Sequence, residues 1–233
     1  MHQRLPLARI DDVALPAILI LKDDKACVLI GWDVDASTKA RSARVLHEFG
    51  DGSEPFKLSV NLSTRDLLDT ELPEKLERLM QRHGARAEGF CLEITESAIM
   101  DDPQRAQATL QTLRERGYGL SIDDFGTGYS SLAYLKRLPV GELKIDRSFV
   151  MAMHESRQNQ EIVRAMLTLG RTLGHKVIAE GVETAAQGEF LAAQGCDELQ
   201  GYLVSPALPL VQFEAWVMER RSRREAAGGG ALR

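Results

Sequence analysis

The chain is organised as a series of apolar runs, each ending on a polar side chain, with helix-like segments between them. The runs are 56–60 into Asn61, 90–92 into Glu93, 120–122 into Asp123 and Asp124, 142–143 into Lys144 and Asp146, 176–179 into Glu180, and 198–199 into Gln200. Between them, Ile162, Met166, Leu169 and Leu173 recur at the spacing of one helical face, and Ala106, Leu110 and Leu113 repeat it. Strict alternation of strand and helix predicts parallel strands joined by crossover helices, an α/β fold. Polar residues stacked at the strand ends favour a closed (β/α) barrel of the TIM type, whose reactive face lies there. A chain of 233 residues, 44% of them hydrophobic, suits one such domain, since a complete barrel typically takes about 250 residues.

A formal net charge of −5 provides no general pull toward a DNA or RNA polymer or an anionic membrane. No run of eighteen or more apolar residues occurs, so no membrane span is predicted. The first residues do not lead into a signal-peptide core, and the expected location is cytoplasmic. Cys27, Cys91 and Cys196 lack metal or redox spacing and read as reduced core thiols. Residues 219–233, rich in arginine and glycine, read as a disordered, solvated tail.

Asp123 and Asp124 are adjacent. Side chains alternate along a strand, so both reach one site only if the strand stops there and the chain turns. Carboxylates at strand ends are a usual way to hold a divalent cation. His2, His47, His83, His154 and His175 fall in no ligand spacing, which argues against a zinc site. Gly126 and Gly128 permit a tight loop, but no third glycine or Gly-Lys-Ser/Thr follows to make a nucleotide fingerprint. Ser130 and Ser131 have no partner histidine in a nucleophile motif. Taken singly, Asp124 and Glu180 also read as turn or cap residues and Lys144 as a snorkelling rim lysine.

The ordered set is more specific than its members. Ser59-Val60-Asn61-Leu62-Ser63, Leu92-Glu93-Ile94-Thr95-Glu96-Ser97 and Asp123-Asp124-Phe125-Gly126-Thr127-Gly128-Tyr129-Ser130-Ser131 are followed by Leu143-Lys144-Ile145-Asp146, Ile178-Ala179-Glu180-Gly181-Val182-Glu183 and Gly195-Cys196-Asp197-Glu198-Leu199-Gln200-Gly201-Tyr202. In this the chain resembles the EAL-domain family, which hydrolyses the bacterial second messenger cyclic di-GMP. The resemblance implies two ions, Mg2+ or Mn2+, held by Asn61, Glu93, Asp123, Asp124 and Glu180, with Asp123 bridging. It also implies that Lys144 contacts the attacking water, that Gln200 orients the cluster, and that Glu183 braces the loop after Asp124. Substrate contacts fall at Asp146 and Gly181. Family members commonly pair, so a homodimer or a signalling partner protein is a further expectation.

The first quarter departs from the pattern. The family's Glu-Ala-Leu triplet, whose glutamate is a metal ligand, is absent, as is its Leu-Arg-Trp run; only Glu48 and Glu54 precede Asn61. Residues 15–35 instead read as a hairpin with a polar turn at 22–25, and residues 42–49 as a helix. The expected organisation is an atypical segment over 1–54, an EAL-type barrel over 55–218 modified or incomplete at its first strands, and the tail. The hairpin could replace the family's first two strands, bringing Asp33 or Asp35 to the vacant ligand position. Alternatively it is foreign, since residues 15–29 are similar over a short span to the peptidase-like domain of type I secretion transporters. Three functions stay open on this reading: a phosphodiesterase making linear pGpG, a degenerate cyclic di-GMP receptor, and a relic that does neither.

Overall fold

A computed structural model describes residues 17–22, 25–30, 57–128 and 132–206, with helical positions at 212 and 219. The strands are β1 (Ala17–Lys22), β2 (Lys25–Ile30), β3 (Leu58–Leu62), β4 (Phe90–Thr95), β5 (Gly119–Phe125), β6 (Glu142–Ile145), β7 (Lys176–Ala179) and β8 (Glu198–Gln200). Helices alternate with them from β3 onward: α1 (Thr64–Leu67), α2 (Leu72–His83), α3 (Glu96–Met100), α4 (Pro103–Glu115), α5 (Leu132–Leu135), α6 (Arg147–Ala152), α7 (Arg157–Thr172) and α8 (Ala185–Ala193).

Alternation along the strands separates two environments. Leu58, Val60 and Leu62 of β3, Phe90, Leu92 and Ile94 of β4, and Leu120 and Ile122 of β5 are buried with Leu76 and Met80 of α2 and Leu110 and Leu113 of α4. A second cluster joins Ile145, Val177 and Ala179 to Val163, Leu167 and Leu191. These residues form the layer between sheet and helices, and the intervening residues face the barrel lumen.

The eight strands close into a barrel in chain order. Pairings from β2–β3 through β7–β8 are parallel, while β1 runs antiparallel to both β2 and β8. The expected hairpin therefore supplies the first two strands. It also closes the sheet edge through Ile20↔Gln200 and Leu21↔Leu199, which leaves no open edge at that seam. Asp33, Asp35, the 42–49 helix and residues 220–233 lie outside the described residues.

The α7 stripe is displaced from its expected place. Val163, Leu167 and Gly170 are its buried residues, whereas Ile162 is exposed and Met166, Leu169 and Leu173 are only partly buried against the core. The helix lies against the sheet at Gly170, where a Cβ would lie 2.3 Å from Val177 Cγ2. A contact line through that glycine turns Ile162 toward solvent. The Ala106, Leu110 and Leu113 face of α4 is buried as expected.

Loops at the strand C-terminal ends are short because the caps come at once. Thr95, the last residue of β4, accepts from Ala98 N–H to start α3, and Asp146, next after β6, accepts from Ser148 N–H to start α6. Both caps lie at the rim where the polar residues emerge.

Candidate metal centre

The lumen of this barrel is polar, and Lys144 is its hub. Its side chain is 1% exposed, and Nζ donates to Glu93 Oε2 at 2.9 Å and Asp123 Oδ1 at 3.0 Å and pairs with Glu180 Oε1 at 2.6 Å. The three partners stand on β4, on β5 and just beyond β7. Along the ladders Asn61 is opposite Glu93, Asp123 is opposite Thr95, two residues beyond Glu93, and Glu180 N–H donates to Ile145 carbonyl; the tilt of barrel strands offsets that stagger.

Asp123 and Asp124 reach this level together by a different route from the one expected. β5 does not stop at Asp123. Its register with β6 slips between Ile122 and Phe125, so one extra residue is accommodated on β5. Asp124 takes the left-handed conformation there, with φ of 53°, an uncommon state for a residue other than glycine. The bulge re-aims its carboxylate, and oxygens of Asp123, Asp124 and Glu180 lie within 4.8 Å of one another.

Burial first, and crowding of like charge second, shape the proton affinities. Burial pushes Glu93 up from its ordinary 4.5 to about 7, an effect that Lys144 opposes and Asp123 and Glu180 reinforce. Burial raises Asp124 as well, followed by Asp123 and by Asp146, whose carboxyl it hydrogen-bonds. Glu180 is raised mainly by burial. Burial alone would lower Lys144, but Glu93, Glu180 and Asp123 together outweigh it and hold the ammonium well above its ordinary range. The carboxylates thus carry a strain that a cation would relieve. Asp123, Asp124 and Glu180 are all hard oxygen donors, which suits magnesium or manganese.

The remaining candidates are less alike. Asn61 is half-buried beside Glu93. Gln200 is buried on β8, with no hydrogen-bond partner for its Oε1. Gly181 has φ of 67° and packs against Arg147, whose Cβ would lie 2.5 Å from an added Cβ. Asp146 serves as the α6 cap. Glu183 is exposed, and its backbone N–H donates to Gln187 Oε1 at the start of α8.

A brace on the described part of the loop after Asp124 comes from Glu96, a residue given no role by the sequence reading. Its carboxylate is buried and accepts Gly128 N–H at 3.2 Å. Glu96 stands three residues after Glu93, and only tertiary packing shows that a helix-initiating glutamate turns inward. At the opposite end of the lumen, Glu142 accepts from Cys91 Sγ at 3.3 Å and pairs with Lys57 at 3.2 Å. Burial pushes the Cys91 thiol well up, consistent with an inert core thiol.

A (β/α) barrel with one reversed strand and a cluster of carboxylates at its C-terminal rim that could hold a cation defines the class of protein. The EAL domain profile matches residues 37–207, and the chain belongs to that family. The bifunctional diguanylate cyclase/cyclic di-GMP phosphodiesterase MucR of Pseudomonas aeruginosa is 45% identical over 166 residues, which cover 71% of this chain and 24% of that protein. Cyclic di-GMP phosphodiesterase NbdA of the same organism is 42% identical over 181 residues, 78% of this chain and 23% of that one. The chain therefore spans about a quarter of the length of the curated relatives it matches. Among solved structures, the PaMucR phosphodiesterase–c-di-GMP complex superimposes with a TM-score of 0.77 at 33% identity, over 84% of this chain and 93% of that one. The EAL domain of Mycobacterium smegmatis DcpA does so with 0.77 at 31%, over 90% and 98%. Among the described residues, no helix is long and apolar enough to cross a membrane.

Proposed function

We propose that this chain is a metal-dependent phosphodiesterase that hydrolyses cyclic di-GMP to linear pGpG, using Mg2+ or Mn2+ at the Asp123–Asp124–Glu180 rim. The observation that carries this reading is the convergence of those carboxylates with Glu93 on a buried Lys144, in a chain of the EAL family. A bound divalent cation supplies an acidified water and charge stabilisation for the phosphoryl oxygens. The protein supplies positions. Lys144 is held protonated by its three carboxylates, and its three N–H bonds are directed to Glu93, Asp123 and Glu180; it acts as a fixed positive charge and not as a base, and an N–H would be free for the incoming water only where one of those carboxylates turns to a cation. Asn61 and Gln200 present carboxamides to the same space, and Glu96 keeps the Gly126–Gly128 turn against the site through its bond to Gly128. Asp146, Gly181 and the exposed Glu183 lie on the rim where a dinucleotide would rest. The cytoplasm, and pairing with a second copy or a signalling partner, belong to the same proposal.

One observation favours a second reading, a receptor that binds cyclic di-GMP without cutting it. β2, the neighbour of β3 beside Asn61, reads Lys-Ala-Cys-Val-Leu-Ile and offers no side-chain oxygen. Purified protein with Mg2+ or Mn2+ is expected to convert cyclic di-GMP to the linear dinucleotide, and Asp123→Asn to abolish this. A flat time course at high enzyme concentration with retained nucleotide binding would establish the receptor reading instead.

A further inference from the structure

We propose that Met166 of α7, together with Phe149 of α6, is a positioning residue of the rim: the two form an apolar seat that fixes the turn ending β5 and thereby aims Asp124. Thr127 N–H donates to the Asp124 carbonyl at 3.2 Å and Thr127 Oγ1 donates to the same oxygen at 2.8 Å, closing a four-residue turn over 124–127. Gly126 is its third residue, with φ of 100°, the left-handed state that the third position of a type II turn demands. The backbone of Asp124 is thus tied to the turn, and the direction of its Cα–Cβ bond follows where the turn rests.

It rests on apolar atoms. A Cβ on Gly126 would lie 2.2 Å from Met166 Cε and 3.1 Å from Phe149 Cε2, so the turn lies flush on a methionine methyl and an aromatic edge. The two Thr127 bonds are internal to the turn and do not set its place against the barrel. Glu96 ties it at Gly128, and Met166 and Phe149 stop it from the α6–α7 side. Helix α6 meets Asp124 twice, since Asp146, its cap, hydrogen-bonds the Asp124 carboxyl. Met166 is offset from the buried stripe of Val163, Leu167 and Gly170 and packs, partly buried, against both core clusters. That offset brings its methyl under Gly126, and an unbranched thioether fills such an irregular gap. Truncating it gives the turn room to shift, and a metal ligand must be held to within about 0.5 Å of its productive geometry.

The seat's role rests on the rim being the cation site proposed above, and one experiment reads the two separately. Mn2+ is titrated into the chelator-stripped full chain, with free Mn2+ read by electron paramagnetic resonance. Met166→Ala is expected to weaken binding about tenfold, the lower end of the roughly 10–100-fold scale for groups that support a ligand. Met166→Leu, which keeps the volume, should stay within about twofold of the parent. Leu76→Ala truncates the buried face of α2 and should lower the urea midpoint without changing Mn2+ affinity. Phe149→Leu thins the seat from its other side and should weaken Mn2+ severalfold, which reads the seat even where Met166→Ala does not fold. Parental affinity in folded Met166→Ala or, in its absence, in Phe149→Leu would overturn the proposal, as would an equal loss in Met166→Leu or in Leu76→Ala. A parent chain that binds no Mn2+ overturns the cation site and the seat's role with it, whereas a parent that binds Mn2+ without cutting cyclic di-GMP sinks only the hydrolysis.

Discussion

Glu93→Gln tests the electrostatics of the lumen directly, because it replaces a buried acid by a neutral side chain of nearly the same shape. Glu93 is 2% exposed. Its carboxyl is raised from 4.5 to about 7, first by burial and then by Asp123 and Glu180, with Lys144 opposing. The folded chain therefore keeps a proton on Glu93 up to neutrality, whereas the unfolded chain releases it near pH 4.5. Between those values folding takes up a proton, so stability is fully present below pH 4.5 and is lost as pH rises toward 7. A rise from 4.5 to about 7, at about 1.4 kcal/mol per pH unit, amounts to about 3 kcal/mol. The Gln variant has no such proton to lose. Urea denaturation of both proteins in chelator, from pH 4.5 to 8, should show the variant gaining on the parent by about 3 kcal/mol across the window and then levelling off. Shifts at Asp124 and Glu180 are common to both proteins and cancel to first order. Parallel stability curves, or a gap that narrows with rising pH, would refute the account of Glu93 as a charge held against its burial.

Four other expectations follow from particular contacts. Glu96→Ala removes a charge-assisted hydrogen bond to Gly128 N–H, worth about 1.5–3 kcal/mol, so kcat/KM for cyclic di-GMP should fall roughly 10- to 100-fold. Gly128→Ala would put a Cβ 2.7 Å from Glu96 Cδ; its loss should be strongly non-additive with Glu96→Ala in a double-mutant cycle, and simple additivity would show that the two do not share one brace. Gly170→Ala would place a Cβ 2.3 Å from Val177 Cγ2 and should cost about 1–3 kcal/mol in urea denaturation, with Val177→Ala restoring part of it. Gly201→Ala has no such rescue, because φ is 152° and the added Cβ would lie 2.3 Å from the Val182 backbone carbonyl oxygen; thermal unfolding should drop by several degrees, and an unchanged midpoint would contradict that close approach.

Much of the barrel was legible before any coordinates. The polar residue that ends each run is the first lumen-facing group at the rim, so the spacing of Asn61, Glu93, Asp123, Lys144, Glu180 and Gln200 carried both the strand order and the level of the site. The helices were legible in type but less so in facing. α7 presents two adjacent apolar stripes, and the choice of Val163 and Leu167 over Ile162 depends on where Gly170 lets the backbone approach β7. Spacing along one helix does not hold that information.

Local pattern along the chain determined which residues are apolar, where strands give way to polar ends, and hence the fold class and the ligand chemistry available. Tertiary structure decided how those ends are shared. It reversed β1 so that the hairpin closes the barrel, inserted a bulge that turns Asp124 beside Asp123, turned Glu96 inward onto Gly128, and set Lys144 among three carboxylates. The physical reason is range. Periodicity and turn chemistry act between neighbours a few residues apart, whereas Lys144 and Glu93 are 51 residues apart and meet only when the whole sheet has closed.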